Sequence, residues 1–240
     1  MAYFDIKLST DIGPIILSWS NSQHLKYFAM KQNPVKFKIS KDDDKLFQEK
    51  LQWWSAEWDT FSKKGYFDLP NNAKIIDVGS GIGILSLLIH RYLKLQDKNS
   101  ICYLLDNQQD DIITQDFTDG CSYGFFNHWE PLHNAISTTN LNKDCFKLLS
   151  LSDQFPDQTD LIISRRSWCY HYPYQFYRDK MLNSLKIGGK LCLDVYDVDN
   201  QIKEISNDMN SEPVYKINWK SISSVTSQSR NISTCMWVRK

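Results

Sequence analysis

Residues 75–83 combine one acidic side chain with three glycines at alternate positions. Asp77 lies two residues before Gly79, and Gly81 and Gly83 follow. The apolar, β-branched residues around Asp77 favour a buried strand, and the glycines allow a sharp turn and the close approach of a ligand. A helix N-terminus after this turn would present unpaired N–H groups, which suit a carboxylate or a phosphate. That helix is predicted from apolar residues at helical spacing, namely Ile84, Leu85, Leu88, Tyr92 and Leu95.

A second acidic residue, Asp106, follows the next apolar run along the chain. Residues 101–105 read Ile-Cys-Tyr-Leu-Leu and predict a buried strand. In open α/β sheets, an acidic residue at the end of the strand after the glycine turn accepts hydrogen bonds from the hydroxyls of a ribose. The pattern therefore predicts a ribose site at Asp106. A solvated strand end remains the alternative interpretation.

Polar and aromatic residues are concentrated after the fourth predicted strand, residues 160–164. Because ligands of doubly wound sheets bind beyond the carboxyl ends of the strands, we expect residues 165–174 to form a loop that faces the substrate. His171 is a candidate general base, and Arg165 or Arg166 could hold an anionic group. A packed aromatic turn with a structural histidine is the alternative. The residues that could form walls around a ring or a cation are Trp168, Tyr170, Tyr172 and Tyr174.

Composition excludes several classes of protein. The chain has 240 residues, 42% of them hydrophobic, which is sufficient for a core, and its formal net charge is zero. Neutral charge argues against a surface that coats nucleic acid. Six cysteines without a C-x-x-C pair argue against a zinc or redox motif. The acidic stretch 108–127 lacks the calcium-loop pattern, so no metal is expected. We find no signal peptide and no membrane span, which makes a cytoplasmic protein the expectation.

Two regions are predicted. Residues 1–70 form an N-terminal extension, with a weak strand signal at 3–8 and a helix over 42–64 that either packs on the sheet or caps the substrate mouth. Residues 71–240 form an α/β domain with a doubly wound, mostly parallel seven-stranded sheet, helices on both faces and an antiparallel C-terminal edge. Beyond the strands already given, the pattern predicts strands at 145–149, 190–195, 214–219 and 234–238 and helices at 125–136 and 175–186.

The pattern Asp-x-Gly-x-Gly-x-Gly resembles motif I of the class I S-adenosylmethionine (SAM) dependent methyltransferases. The dinucleotide fingerprint G-x-G-x-x-G fits less well, since Ile84 stands where its third glycine would be. The resemblance implies that the glycine turn lies against the methionine part of SAM and that Asp77 helps to hold its ammonium group. It also implies that Asp106 binds the ribose, that Asn107 flanks the adenine and that Asp153 contacts the adenine amino group. The further cofactor candidates are Gly79, Ser80, Gly81, Gly83 and Ser164.

The resemblance also implies an activity, methyl transfer from SAM with S-adenosylhomocysteine as the product and without a metal. The chain lacks the Asp/Asn-Pro-Pro-aromatic motif of adenine amino-methyltransferases and the Pro-Cys pair of cytosine C5 enzymes. O-methylation of a small molecule such as a sugar is therefore the favoured hypothesis. His171, Arg165 and Tyr172 are its catalytic candidates. An N-methyltransferase, a nucleic-acid or protein methyltransferase, and a SAM-binding module without catalysis remain the alternatives.

Overall fold

The computed structural model describes residues 3–8, 15–20, 58, 60–81, 83–106, 113–114, 123–124, 136–137, 141–165, 167–196, 200–222 and 229–240. The helices predicted over 42–64 and 125–136 lie mostly outside the described residues. Asn107 also lies outside them. In the part of the chain that is described, no helix has both the length and the apolar character needed to cross a membrane.

Seven strands form the central sheet, as predicted. They are β3 (Ala73–Val78), β4 (Ser100–Leu105), β7 (Phe146–Leu149), β8 (Thr159–Ser164), β10 (Leu185–Tyr196), β11 (Tyr215–Ile222) and β12 (Ser229–Val238). Their order is β11-β12-β10-β8-β3-β4-β7. The five strands from β10 to β7 are parallel, whereas β12 runs antiparallel to both β10 and β11. The mostly parallel sheet and its antiparallel C-terminal edge are confirmed.

Helices cover both faces of this sheet. Neighbouring residues of a strand point to opposite faces, and Ile75 and Ile76 accordingly belong to two separate apolar clusters. The first cluster includes residues of helix α1 (Ile84–Lys94). The second includes residues of helix α2 (Arg178–Ser184) and of helix α3 (Gln201–Met209). Since both faces are buried, the central strands read as continuous apolar runs, which is why the sequence predicted them.

Smaller elements complete the described chain. Strands β1 (Tyr3–Leu8) and β2 (Ile15–Ser20) form an antiparallel hairpin outside the central sheet. Strands β5 (Ile113–Thr114) and β6 (Tyr123–Gly124) form another antiparallel pair. Two short 3-10 helices cover Lys143–Cys145 and Tyr174–Phe176.

Two predicted boundaries after β8 differ from the structure. The expected loop over 165–174 contains an extended segment, β9 (Ser167–Tyr172). The helix predicted over 175–186 is shorter, because β10 already begins at Leu185. Gly188 adopts a positive φ of 77°, and its N–H donates to the carbonyl of Arg239. The Gly188-Gly189 pair therefore forms an irregularity within a strand and does not end a helix.

Lys190 connects the segment before β3 to the sheet. A helical segment ends at residue 63. Gly65 follows it in a turn, with a φ of 68°. The ammonium group of Lys190 donates to the carbonyls of Tyr66 at 3.0 Å, Asp68 at 3.1 Å and Gly65 at 3.4 Å. Burial lowers the pKa of this half-buried lysine. One cation thus binds three carbonyl groups of the turn that follows the helix.

Replacing Lys190 by methionine is expected to reduce the free energy of unfolding by about 2 kcal/mol, because three hydrogen bonds from a charged donor would be lost. Methionine retains much of the apolar stem, so packing changes little. Urea denaturation of both proteins at neutral pH measures the effect. Lys203→Met, which removes an exposed lysine of α3, serves as a matched control for charge. A change at Lys190 no larger than measurement error would contradict the prediction.

Candidate functional site

The glycine turn joins the carboxyl end of β3 to the start of α1. The N–H groups of Gly79 and Ser80 both donate to the carbonyl of Leu105, at 2.7 and 3.2 Å. The N–H of Gly83 donates to the carbonyl of Ser80 at 2.9 Å. These donors bond within the protein, and the N–H groups that the sequence predicts for a ligand are the others, those of the helix N-terminus. Gly83 begins α1 with a φ of 71° and no capping side chain, so the donors left for an anion are those of the first helical turn.

Gly79 lies in close contact with Ser167, the first residue of β9. The φ of Gly79 is 71°. A Cβ atom at this position would lie 2.1 Å from the Oγ of Ser167 and 2.2 Å from its Cβ. The first glycine of the motif is therefore required by a neighbouring segment of the protein. The sequence indicated close approach at this position but attributed it to a ligand alone.

Asp77 is buried in β3, with 4% of its surface exposed. The hydroxyl of Ser86 donates to its Oδ2 at 2.7 Å. Burial raises the pKa of Asp77 to about 6, although the Ser86 hydrogen bond and the positive charge of Arg165 act in the opposite direction. A carboxylate in such surroundings gains free energy from any cation that binds beside it. This is the behaviour expected of a residue that meets an ammonium group.

Asp106 lies directly after β4 and is 9% exposed. Its Oδ2 accepts a hydrogen bond of 2.7 Å from the N–H of Gly81. Because β3 and β4 are neighbouring parallel strands, their carboxyl ends meet at one edge of the sheet. The glycine turn and the proposed ribose acid are therefore brought together, and a single hydrogen bond fixes one against the other.

The hydroxyl of Ser80 in the glycine turn is buried and has no hydrogen-bond partner among the residues that the structure describes. A buried polar atom without a partner is costly, so it indicates a group that the protein is built to receive. Together with the carboxylates of Asp77 and Asp106, this hydroxyl fits the donors and acceptors that SAM carries on its methionine and ribose parts. The residues present are thus compatible with SAM.

The first residue of segment β9 contacts the turn after β3, and the segment itself lies against β10. Ser164, the last residue of β8, donates through its Oγ to the carbonyl of Val78 at 2.7 Å and accepts from the N–H of Trp168 at 2.9 Å. The indole of Trp168 is buried and donates to the carbonyl of Tyr174 at 2.9 Å. The hydroxyl of Ser164 therefore joins the strand of the glycine motif to the aromatic segment. The sequence proposed Ser164 as a cofactor contact, and that role remains a prediction.

Aromatic side chains at the end of β9 and in the residues after it pack on one another. Burial raises the pKa of Tyr172, and the negative charge of Asp106 raises it further. Burial and the charges of Tyr172 and Asp106 likewise raise the pKa of Tyr177. Tyr177 stacks on Phe155, with ring centroids 5.9 Å apart. Phe176 contacts Tyr172 at 5.4 Å and Tyr177 at 4.8 Å.

Arg165 lies in an internal ion pair. Its Nε donates to Oδ1 of Asp194 at 2.9 Å, and the Asp194 side chain is fully buried. Thr234 donates to the same oxygen at 2.6 Å. The guanidinium carbon also lies 5.2 Å from the ring centre of Phe61. The structure thus places Arg165 between the sheet and the segment before β3, and its catalytic role remains a prediction.

Asp153 and His171 are two further candidates from the sequence. Asp153 is exposed and accepts from the N–H of Ser150 at 2.7 Å, and this hydrogen bond lowers the pKa of Asp153. His171 belongs to β9, but its side chain is outside the described residues. Considering only the residues that the structure describes, no group of three or more His, Cys, Asp or Glu side chains is arranged to hold a metal ion.

Sequence analysis did not single out Ser167, Phe155, Phe176 or Tyr177. Phe155 and Tyr177 belong to predicted loop or helix positions, where an aromatic residue gives no signal of its own. Phe176 follows the aromatic run closely enough that extending the candidate walls by a few residues would have included it. Ser167 carries no such signal, because only the fold brings it to Gly79.

No family model matches the sequence, and no curated protein matches it. Solved structures share its fold. Methanocaldococcus jannaschii Trm5 in complex with adenosine aligns at 16% identity with a TM-score of 0.51, over 100% of this chain and 57% of that one. The precorrin-6y C5,15-methyltransferase of Geobacter metallireducens aligns at 12% identity with a TM-score of 0.45, over 72% and 83% of the two chains. A SAM-dependent O-methyltransferase of Thermotoga maritima aligns at 14% identity with a TM-score of 0.43, over 98% and 78%.

This chain spans little more than half of the Trm5 chain. At these identities the likeness concerns the fold alone. Three features agree with this likeness in fold, namely the strand order, the glycine turn after β3 and the acidic residue after β4. The chain therefore has the fold of the class I SAM-dependent methyltransferases.

Proposed function

We propose that this protein binds SAM at the carboxyl edge of β3 and β4 and transfers its methyl group to a hydroxyl group of a small molecule. The observation that supports this most is the hydrogen bond from Gly81 to Asp106. It brings a glycine turn, a buried carboxylate at Asp77 and a ribose-type acid to one place. A ligand with an ammonium group for Asp77, a ribose for Asp106 and a carboxylate for the N–H groups after the glycine turn has a partner at each of the three.

In this proposal, Asp77 and Ser80 face the methionine part of the cofactor, and Asp106 accepts from the ribose. When bound, SAM supplies an electrophilic methyl group on a sulfonium ion. The protein aligns the acceptor oxygen with that methyl group and removes the hydroxyl proton. Tyr172 does not suit the role of base at neutral pH, because its raised pKa keeps its own proton in place. His171 remains the candidate base.

The domain boundary is part of the same proposal. Residues 71–240 contain the whole central sheet and the candidate site, and residues 1–70 are proposed as an extension. Its segment at 65–68 is attached to the sheet through Lys190. The neutral net charge favours a small acceptor over a nucleic acid.

Calorimetric titration with SAM and with S-adenosylhomocysteine tests the cofactor assignment. The wild-type protein is expected to bind both, and Asp106→Ala is expected to weaken both affinities about 100-fold, because two hydrogen bonds from ribose hydroxyls to a carboxylate are lost. Asp157→Ala, which removes an exposed carboxylate just before the start of β8, is the matched control. If neither ligand binds the wild-type protein, the assignment fails.

An assay for methyl transfer distinguishes an enzyme from a protein that only binds SAM. Binding of SAM without methyl transfer to any hydroxylated acceptor would support the non-catalytic alternative. A steep fall in RNA affinity with rising salt, together with methylation of that RNA, would replace the small acceptor by a nucleic acid.

A further inference from the structure

The carboxyl ends of three neighbouring strands lie side by side at the proposed cofactor site. The strand order β3, β4, β7 places the glycine turn at β3 and Asp106 at β4. Leu105 of β4 pairs with Leu149 of β7, so the residues that follow them, Asp106 and Ser150, start at adjacent points of one edge. With the methionine part of the cofactor at β3 and its ribose at β4, the base extends toward the turn after β7.

The turn after β7, residues 150–153, is closed by two hydrogen bonds between its ends. The N–H of Asp153 donates to the carbonyl of Ser150 at 3.1 Å, and the N–H of Ser150 donates to Oδ2 of Asp153 at 2.7 Å. Hydrogen bonds from Ser150 lower the pKa of Asp153, and the positive charge of Lys180 acts in the same direction. The carboxylate is therefore ionised at neutral pH and only accepts hydrogen bonds. Within the described part of the chain no group donates to its second oxygen, Oδ1, which leaves that oxygen to a ligand.

Lys180 of helix α2 holds this turn. Its ammonium group donates to the carbonyls of Leu151 and Asp153, both at 2.7 Å, and lies 5.9 Å from the ring centre of Phe155. Tyr177 lies three residues before Lys180, on the same side of the helix, and stacks on Phe155 with ring centroids 5.9 Å apart. Helix α2 thus contacts the segment after β7 at two points, and Lys180 is the one that binds the main chain of the turn.

We propose that Lys180 is a positioning residue for recognition of the cofactor's base. By binding the main chain of the turn, it holds the carboxylate of Asp153 where Oδ1 accepts a hydrogen bond from the amino group of adenine. The inference rests on the proposed function and specifies how its site selects the base. A carboxylate accepts from the amino group of adenine but repels the carbonyl oxygen that hypoxanthine has in its place. Lys180 acts through the turn and does not itself contact the cofactor.

Two ligands that differ in the base test the proposal. S-Adenosylhomocysteine carries adenine, and S-inosylhomocysteine carries hypoxanthine. By calorimetry, the wild-type protein is expected to bind the first about tenfold more tightly. Lys180→Met is expected to lose most of this preference, because its affinity for S-adenosylhomocysteine falls and its affinity for S-inosylhomocysteine does not. Lys180→Arg should retain the preference, since a guanidinium can donate to both carbonyls.

Hydrogen exchange at the N–H of Ser150 tests the contact itself in the ligand-free proteins. Without Lys180 the turn opens more often, so exchange is expected to be faster in Lys180→Met than in the wild-type protein. Lys143→Met is the matched control for both measurements, because it removes an exposed lysine at the opposite end of β7. An unchanged exchange rate in Lys180→Met would overturn the inference, since Lys180 would then not hold the turn.

Three results of the titrations would also overturn the inference. They are equal affinity of the wild-type protein for the two ligands, an unchanged preference in Lys180→Met, and a fall in both affinities by the same factor. In the last case Lys180 would support the site as a whole and not the choice of base. In all three cases the wild-type protein still binds S-adenosylhomocysteine. If it does not bind this ligand, the proposed function fails and the inference falls with it.

Discussion

Replacing Gly79 by alanine is expected to lower the free energy of unfolding by about 2–5 kcal/mol and to abolish binding of SAM. A positive φ costs an L-residue about 1–2 kcal/mol, and forcing a methyl group into a filled space adds about 1–3 kcal/mol. The methyl group would lie 2.1 Å from the Oγ of Ser167, so either the turn or β9 must move. Chemical denaturation and calorimetry with SAM measure the two effects.

A double-mutant cycle isolates the contact between the two residues. Ser167→Gly removes the side chain that the alanine would meet. The double variant Gly79→Ala/Ser167→Gly should therefore recover the steric part of the loss and retain the part that arises from φ. If Gly79→Ala is equally destabilising with and without Ser167, the packing of β9 on the glycine turn is not the cause.

Replacing Asp77 by asparagine is expected to stabilise the ligand-free protein by about 3 kcal/mol above neutral pH and to weaken SAM binding at least about tenfold. The folded-state pKa is raised from 3.8 to about 6, so between these values the native state binds more protons than the unfolded state. The free energy of unfolding therefore falls as pH rises through this window. Above this pH window, the buried carboxylate of Asp77 is ionised and lowers the free energy of unfolding by the full amount. Asparagine is uncharged and has no such effect.

Urea denaturation of both proteins across this pH range provides the measurement. The advantage of Asp77→Asn should grow from nearly zero at the acidic end to its full value above about pH 7. His90 is a second buried titrating group, and burial lowers its pKa to about 4. It destabilises the native state as pH falls below its ordinary pKa of 6.5, but this contribution is common to both proteins and cancels in the difference. A difference that does not depend on pH would contradict the prediction.

The sheet was predictable because its chemistry is local. The runs at 75–78 and 160–164 are apolar apart from Asp77, Asp160 and Ser164, as is typical of strands buried on both faces. Gly79 marks the end of β3, and Asp106 marks the end of β4. The course of β9 was not predictable. Trp168, Tyr170 and Tyr172 recur at every second position, as in a strand. However, Cys169 adopts a φ of 64° between them, and no residue type in the sequence indicates that turn of the backbone.

The partners of the site residues also depend on the whole fold. Nothing in the sequence around Arg165 indicates that it pairs with Asp194, because β8 and β10 become neighbours only when the sheet assembles. The same holds for Ser167 and Gly79. The sequence therefore predicted where the glycine turn and Asp106 lie, because both follow strands that it indicates. It did not predict the contacts of the segment after β8, which join residues far apart in the chain.

The hydrogen bonds of Ser164 have a consequence for protein engineering. In the proposed function, exchanging the segment after β8 is a way to change acceptor specificity. The beginning of that segment, however, supports the glycine turn, through Ser164 on Val78 and through Ser167 on Gly79. A graft should therefore retain residues 164–168 and start beyond them, so that variation in the rest of the segment leaves the glycine turn intact.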